Sequence, residues 1–210
     1  FRMKTVNGPM SELTVNLNAK EVPVMKKKVL DRRNKRDRAS MVTYSSQNEQ
    51  DTRMIGRASM VPVVEPSDSF EAKEFMKYAF DLSEKYDTPI ILRTTTRLAH
   101  SQGIVNLEDR VEPIDIPYER DMRKNVMMPG NAIQRHLVVE KRLKDMAADA
   151  KDFPINKVEM GDTSIGFITC GIAYQYIKEA MPNASVLKLG LVNPLPRTLI
   201  EDFAKKVDKL

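Results

Sequence analysis

Met60-Val61-Pro62-Val63-Val64-Glu65-Pro66-Ser67-Asp68 is the stretch on which the fold turns. Its apolar run, broken by prolines, reads as a short strand over 60–66. Asp68 stands three residues before Glu71, the capping-box spacing that satisfies free amide groups at a helix start. A helix is therefore expected over Ser69 to Tyr86. Phe75, Ala79, Leu82 and Tyr86 recur at helical spacing, with Met76 and Phe80 beside them, and mark a core-facing stripe. Pro89 to Leu92 is wholly apolar, the sign of a buried strand. Strand, helix and strand make a βαβ unit, whose crossover is expected to be right-handed. Arg93, Thr94, Thr95, Thr96 and Arg97 follow the second strand. Open α/β sheets place ligands beyond the carboxyl ends of their strands. The same five residues could equally form a capped, solvated loop.

Downstream, residues 104–130 carry Pro113, Pro117 and Pro129 with no sustained period, and read as a linker. A helix should follow from Asn131 to about Ala150, with Ile133, Leu137, Met146 and Ala150 as its apolar contacts. Ser164 to Thr169 reads as a buried strand and Cys170-Gly171 as the turn. A helix over Ile172 to Met181 follows, with Ile172, Tyr176 and Ala180 four apart. Ser185 to Leu189 is the next strand. Pro196 suits a first helical turn, ahead of a helix over Leu199 to Val207. A further strand is expected beyond Leu210 to complete the sheet. The glycines form neither G-x-G-x-x-G nor a P-loop, since Phe167 stands where the latter needs Lys. His100 and His136 lie outside any metal-binding motif and read as surface or packing residues.

Upstream lies a run of seven polar residues: Ser45, Ser46, Gln47, Asn48, Glu49, Gln50 and Asp51. It has no apolar face, so it is a loop rather than a buried element. Its amides donate and accept, and its carboxylates accept only. Such a loop could border a site or simply be solvated. Residues 1–44 differ again. Leu13, Val15 and Leu17 alternate for one short strand, followed by Lys26-Lys27-Lys28 and the Arg32–Arg38 cluster. Residues 1–40 hold 11 Lys/Arg and 4 Asp/Glu, so the remaining chain has 34 − 11 = 23 basic and 29 − 4 = 25 acidic residues. The net charge of +5 thus belongs to a basic leader that reads as disordered or non-native. A nucleic-acid patch is the competing use of that charge, but no aromatic or glycine pattern accompanies it.

The single cysteine, Cys170, excludes a disulfide within the chain, and equally a Cys-based zinc site or a cluster held by this chain alone. No apolar run approaches the roughly 18 residues of a membrane span. A cytoplasmic location is the expectation. The chain starts at Phe1, which suggests a fragment.

Several motifs occur together in one order. They are Ser45 to Asp51, Glu65-Pro66-Ser67-Asp68-Ser69, Leu92 to Arg97 and His100-Ser101-Gln102-Gly103, then Val126-Met127-Met128-Pro129, Gly171 to Tyr176 and Leu187-Lys188-Leu189-Gly190. From about Ser45 to Leu210 the chain resembles the large (alpha) subunit of indolepyruvate:ferredoxin oxidoreductases. These belong to the thiamine-diphosphate-dependent 2-oxoacid:ferredoxin oxidoreductases. The resemblance implies an enzyme that converts arylpyruvates and CoA to aryl-acetyl-CoA and passes electrons through [4Fe–4S] clusters to ferredoxin. It implies thiamine diphosphate and Mg2+ in the complete enzyme, and a smaller beta subunit as partner.

The fold so implied is α/β. Residues 45–103 would be the end of a pyrimidine-binding thiamine domain, and 104–156 a linker and helix. Residues 157–210 would be the start of a transketolase-C-terminal-like open parallel sheet. Ser45 to Asp51 would be a loop near substrate or cofactor. The departures are equally specific. Arg38 to Tyr44 replaces the family's Ala-Asp-Asp-Pro-like turn ending in His. The cofactor-activating glutamate, the Gly-Asp-Gly…Asn seat for magnesium and diphosphate, and the cluster cysteines have no counterpart here; Gly161-Asp162-Thr163 is not a substitute. No residue is assigned as catalytic or metal-binding, and no cofactor is expected to be held by this chain alone. Three functions compete: a fragment of that enzyme inactive alone, a non-catalytic binding or subunit-assembly module, and a nucleic-acid-binding protein.

Overall fold

A computed structural model describes residues 51–109 and 117–210, together with the strand Glu12–Thr14. The remaining leader and Ser45 to Gln50 lie outside the described residues. The elements are β1 (Glu12–Thr14), α1 (Thr52–Ala58), β2 (Val63–Val64), α2 (Ser69–Tyr86), β3 (Ile91–Leu92), α3 (Thr96–Ala99) and β4 (Ile104–Asn106). They continue with α4 (Met122–Asn125), α5 (Pro129–Asp149), β5 (Lys157–Glu159), β6 (Asp162–Cys170), α6 (Ala173–Ala180), β7 (Ala184–Leu189), β8 (Leu191–Asn193) and α7 (Arg197–Ala204).

The expected βαβ unit is present. β2 and β3 are parallel, with Val63 opposite Ile91 and Val64 opposite Leu92. Asp68 caps α2 by accepting from the Glu71 amide at 2.8 Å. The reciprocal half of the box is displaced by one residue: Glu71 accepts from the Ser67 amide at 3.0 Å. β8 adds to β2 in antiparallel sense. A second sheet runs β5-β7-β6. β6 and β7 are parallel and β5 is antiparallel to β7. β1 pairs antiparallel with β4. Each expected parallel pair therefore carries one antiparallel edge strand.

The larger core gathers Phe75, Ala79 and Leu82 of α2 with Val64, Leu191 and the segment Met146 to Ile155. Phe153 meets the edges of Tyr78 and Tyr86 at centroid separations of 5.8 and 6.4 Å. A smaller core joins Leu187 and Leu189 of β7 to Phe203 of α7.

Three sequence expectations are corrected. Met76 and Phe80 are exposed, because the face of α2 turned to the core carries Phe75, Ala79 and Leu82, flanked by Tyr78 and Tyr86. Ile133 and Leu137 are exposed at 67% and 59%, since only the last turns of α5, at Met146, reach the core. Ile165 and Ile168 also stay partly exposed, so β6, at the edge of its sheet among the described residues, is not the buried strand expected.

Candidate functional site

Glu65 follows β2 and Arg93 follows β3, so the parallel register sets them side by side at the carboxyl ends of both strands. Arg93 Nη1 donates to Glu65 Oε1 at 2.5 Å. Both side chains are buried, Glu65 to 1% exposure. The amino end of α1 closes over the pair. Asp51 caps α1 by accepting from the Arg53 amide at 3.1 Å. Its carboxylate also takes Arg53 Nε and Nη2 at 2.9 and 2.8 Å, and its Oδ1 lies 3.7 Å from Arg93 Nε. Arg53 Nη1 lies 3.9 Å from Glu65 Oε2 and donates to Cys170 Sγ at 3.5 Å. Five side chains from the ends of α1, β2, β3 and β6 thus form one charged cluster.

Its electrostatics follow from burial. Desolvation pushes the Glu65 carboxyl up, against the pull of Arg93 and Arg53. The Arg53 hydrogen bond holds Asp51 below the usual carboxylate range. Burial, with the Glu65 charge adding to it, pushes the Cys170 thiol up. A thiol so placed is not an activated nucleophile. Gly171 makes the turn from β6 to α6 at φ +54°, and a Cβ there would stand 2.3 Å from Glu65 Oε1. Only glycine allows the carboxylate this close to the turn.

A second cluster lies beyond the first turn of α2. Lys188 sits within β7, every residue of which is buried, and is itself 1% exposed. It ion-pairs with Glu71 and donates to Ser67 Oγ at 2.8 Å. Its ammonium stands 4.4 Å from the centre of the Tyr174 ring. Glu71 also accepts from Ser67 Oγ at 2.9 Å. Burial pushes Glu71 up, but the Lys188 hydrogen bond and charge and the Ser67 donors outweigh it, so its pKa is lowered. Gln175 of α6 donates to Asp68 at 3.1 Å. These contacts tie the start of α2 to the second sheet and its helix.

Of the polar run Ser45 to Asp51, Asp51 is in the first cluster, and Ser45, Ser46, Gln47, Asn48, Glu49 and Gln50 lie outside the described residues. The strand-end loop combines both expected behaviours. Arg93 is buried in the charged cluster, whereas Thr95 caps α3 by accepting from the Leu98 amide at 3.2 Å. Thr94 is exposed and Thr96 opens α3. The Arg97 guanidinium lies 5.0 Å from the centre of the Tyr176 ring. His100 and His136 are exposed, and His136 faces Glu140 at 3.2 Å. The partners Glu65, Glu71 and Lys188 were missed by sequence reasoning. Their signal was a charge inside or beside an apolar run, which needs a paired partner if buried.

The described residues do not fit a magnesium–diphosphate seat. Asp162 is turned on its own loop, accepting from the Ser164 amide and hydroxyl at 2.9 and 2.8 Å. The buried carboxylates Glu65 and Glu71 are both ion-paired. Among the described residues no three His, Cys, Asp or Glu side chains gather into a metal-binding group. No described helix is long and apolar enough to cross a membrane.

The fold has a solved counterpart. A 2-oxoglutarate:ferredoxin oxidoreductase from Magnetococcus marinus, with 2-oxoglutarate, coenzyme A and succinyl-CoA bound, superposes with a TM-score of 0.53 at 17% identity. The match covers 70% of this chain and 34% of that one. The fold is therefore similar to that of about a third of that 2-oxoglutarate:ferredoxin oxidoreductase chain. Sequence narrows the class. The chain is 40% identical over 173 residues to the indolepyruvate oxidoreductase subunit IorA of Archaeoglobus fulgidus, covering 80% of this chain and 28% of the relative. The IorA subunits of Methanothermobacter thermautotrophicus and Thermococcus kodakarensis match at 38% and 37%, covering 76% and 80% of this chain and 27% and 28% of theirs. The chain is homologous to a segment of IorA, the large subunit of indolepyruvate oxidoreductase, and spans little more than a quarter of that subunit's length. No family model matches it.

Proposed function

We propose that this chain serves as a structural segment of the large subunit of an indolepyruvate:ferredoxin oxidoreductase. The complete enzyme would oxidatively decarboxylate arylpyruvates to aryl-acetyl-CoA and reduce ferredoxin, together with a beta subunit, in the cytoplasm. Thiamine diphosphate, Mg2+ and [4Fe–4S] clusters would be held by other parts of that enzyme. Residues 45–103 would end its pyrimidine-binding domain and 157–210 begin its transketolase-C-terminal-like domain, joined through 104–156. Ser45 to Asp51 would border the site. The observation that carries this is the 40% identity to the A. fulgidus subunit across four-fifths of the chain.

The test is a chimera. Replace the matching segment of the A. fulgidus subunit with residues 43–210 and measure indolepyruvate- and CoA-dependent dye reduction. Retained turnover supports the reading. A folded, cofactor-loaded chimera without turnover overturns it, as does thiamine-dependent turnover by the 210-residue chain alone.

A non-catalytic assembly module is the second reading. Mutual pairing of the buried charges favours it, because Arg93–Glu65 ties β2 to β3 and Lys188–Glu71 ties the second sheet to α2, a structural use of those charges.

A further inference from the structure

Lys188 stands in a strand whose neighbouring residues, Val186, Leu187 and Leu189, are buried and apolar. A buried ion pair is often no more stabilising than apolar side chains of the same volume, so stability alone does not account for a lysine here. Its partners, Ser67 and Glu71, belong to the loop after β2 and to the first turn of α2. That loop, Glu65-Pro66-Ser67-Asp68, is gripped at both ends by the end of β7 and by α6. The Glu65 amide donates to the Gly190 carbonyl, two residues beyond Lys188, at 2.8 Å. Gln175 donates to Asp68 Oδ2 at 3.1 Å and to Ser67 Oγ at 3.3 Å. Pro66, fully buried and with a fixed φ, leaves little slack between Ser67 and Glu65. On the other side the Glu65 carboxylate meets Arg93 at 2.5 Å and lies 3.9 Å from Arg53.

We propose that Lys188 is a positioning residue for the charged cluster at the strand ends: through Ser67 and Pro66 it sets where the Glu65 carboxylate stands against Arg93 and Arg53. Its effect on turnover rests on the reading above, in which the polar run ending at Asp51 borders the reaction site. The positioning itself does not rest on that reading.

Cys170, the single cysteine, is a built-in reporter. Its thiol faces Arg53 at 3.5 Å, with Glu65 and Arg93 near it. Burial and the Glu65 charge push the thiol up, and the two arginines pull it down. The rate of maleimide labelling of the 210-residue chain is measured against pH. The midpoint reports the charges around the thiol, and the plateau at high pH reports its accessibility. Ser67→Ala cuts the link and leaves Lys188 paired with Glu71. It should loosen Glu65 and move the midpoint to lower pH, so that labelling below the midpoint is about threefold faster. Lys188→Met combined with Glu71→Gln, which strands no charge, should do the same. Glu65→Gln should lower the midpoint directly, and adding Ser67→Ala to it should move it no further. Met146→Ala, a core deletion on α5, should lose stability and keep the parent midpoint. A midpoint that stays at the parent value in both Ser67→Ala and the Lys188–Glu71 double variant overturns the proposal. So does a midpoint that moves as far in Met146→Ala, a further move on top of Glu65→Gln, or a change in the plateau alone.

The chimera separates this from the functional reading. Ser67→Ala should lower its rate per folded, cofactor-loaded enzyme about threefold or more. A moved midpoint with unchanged turnover supports the positioning and overturns its effect on the reaction. A parent chimera without turnover, beside a moved midpoint in the 210-residue chain, sinks only the function.

Discussion

Arg93 and Glu65 are locked together at 2.5 Å where two parallel strands end, both out of water. Breaking such a pair from one side leaves an uncompensated charge. Arg93→Met should therefore destabilise the chain by about 3–5 kcal/mol. Replacing both residues with Met should cost less than Arg93→Met alone, because no buried charge is then stranded. Urea denaturation of the two variants checks this. Costs that simply add would show that the pair is not coupled.

Gly171→Ala should lose stability for two reasons: a left-handed backbone, at about 1–2 kcal/mol, and the collision with Glu65 Oε1. The second is conditional. In a Glu65→Ala background the Gly171→Ala cost should shrink towards the backbone part alone. A double-mutant cycle gives the difference directly. An unchanged cost would mean that the carboxylate does not press on the turn.

The two buried carboxylates should leave opposite marks on stability against pH. Glu71 has a lowered pKa, from a reference of 4.5. Its contribution is present above the unfolded value and is lost as pH falls through the folded one. Glu65 is raised, so the folded state holds its proton longer. Its contribution is greatest in acid and is lost as pH rises from the unfolded value through the folded one. Glu71→Gln should therefore flatten the loss of stability below about pH 4.5. Glu65→Gln should remove a decline above it. Denaturation midpoints between about pH 3 and 7 measure both; the same sign for both variants would contradict the assignment.

Much of the fold was legible because it rests on local signals. Asp68, the period of Phe75, Ala79 and Leu82, and the apolar run before Arg93 give the βαβ unit without knowledge of tertiary contacts. What escaped depends on partners remote in sequence. Lys188 lies in a run that reads as apolar strand, and only the structure brings Glu71, 117 residues away, against it. Periodicity likewise shows which face of α5 is apolar, but not that Ile133 stays exposed. The same limit applies to α2. Phe80→Ser should change stability by no more than about 0.5 kcal/mol, whereas Phe75→Ala should cost about 3–5 kcal/mol. Comparable losses in melting experiments would place Phe80 in the core after all.

Asp51 is where the polar run meets the described structure, and it has two separable jobs. As cap of α1 it accepts the Arg53 amide, and as a charge it faces Arg53 and Arg93. Asparagine caps a helix about as well as aspartate, whereas alanine loses about 1 kcal/mol. The Arg53 pair is partly exposed and adds little to stability. Asp51→Asn should therefore melt near the parent and Asp51→Ala somewhat below it. In the chimera the two jobs have different readouts. If the run from Ser45 to Asp51 borders the reaction site, Asp51 positions a polar group there. Leaving that group unpaired costs about 1–3 kcal/mol, or roughly tenfold or more in rate at about 1.4 kcal/mol per decade. The rate per folded, cofactor-loaded enzyme should then fall for both Asp51→Asn and Asp51→Ala, although only alanine lowers the melting temperature. Asn48→Ala and Glu49→Ala, which leave the cap intact, should lower the rate by the same order. If the run merely closes the domain, the normalised rate stays unchanged in all four variants and only Asp51→Ala loses stability. That second pattern would leave Ser45 to Asp51 as a solvated loop ending in a helix cap.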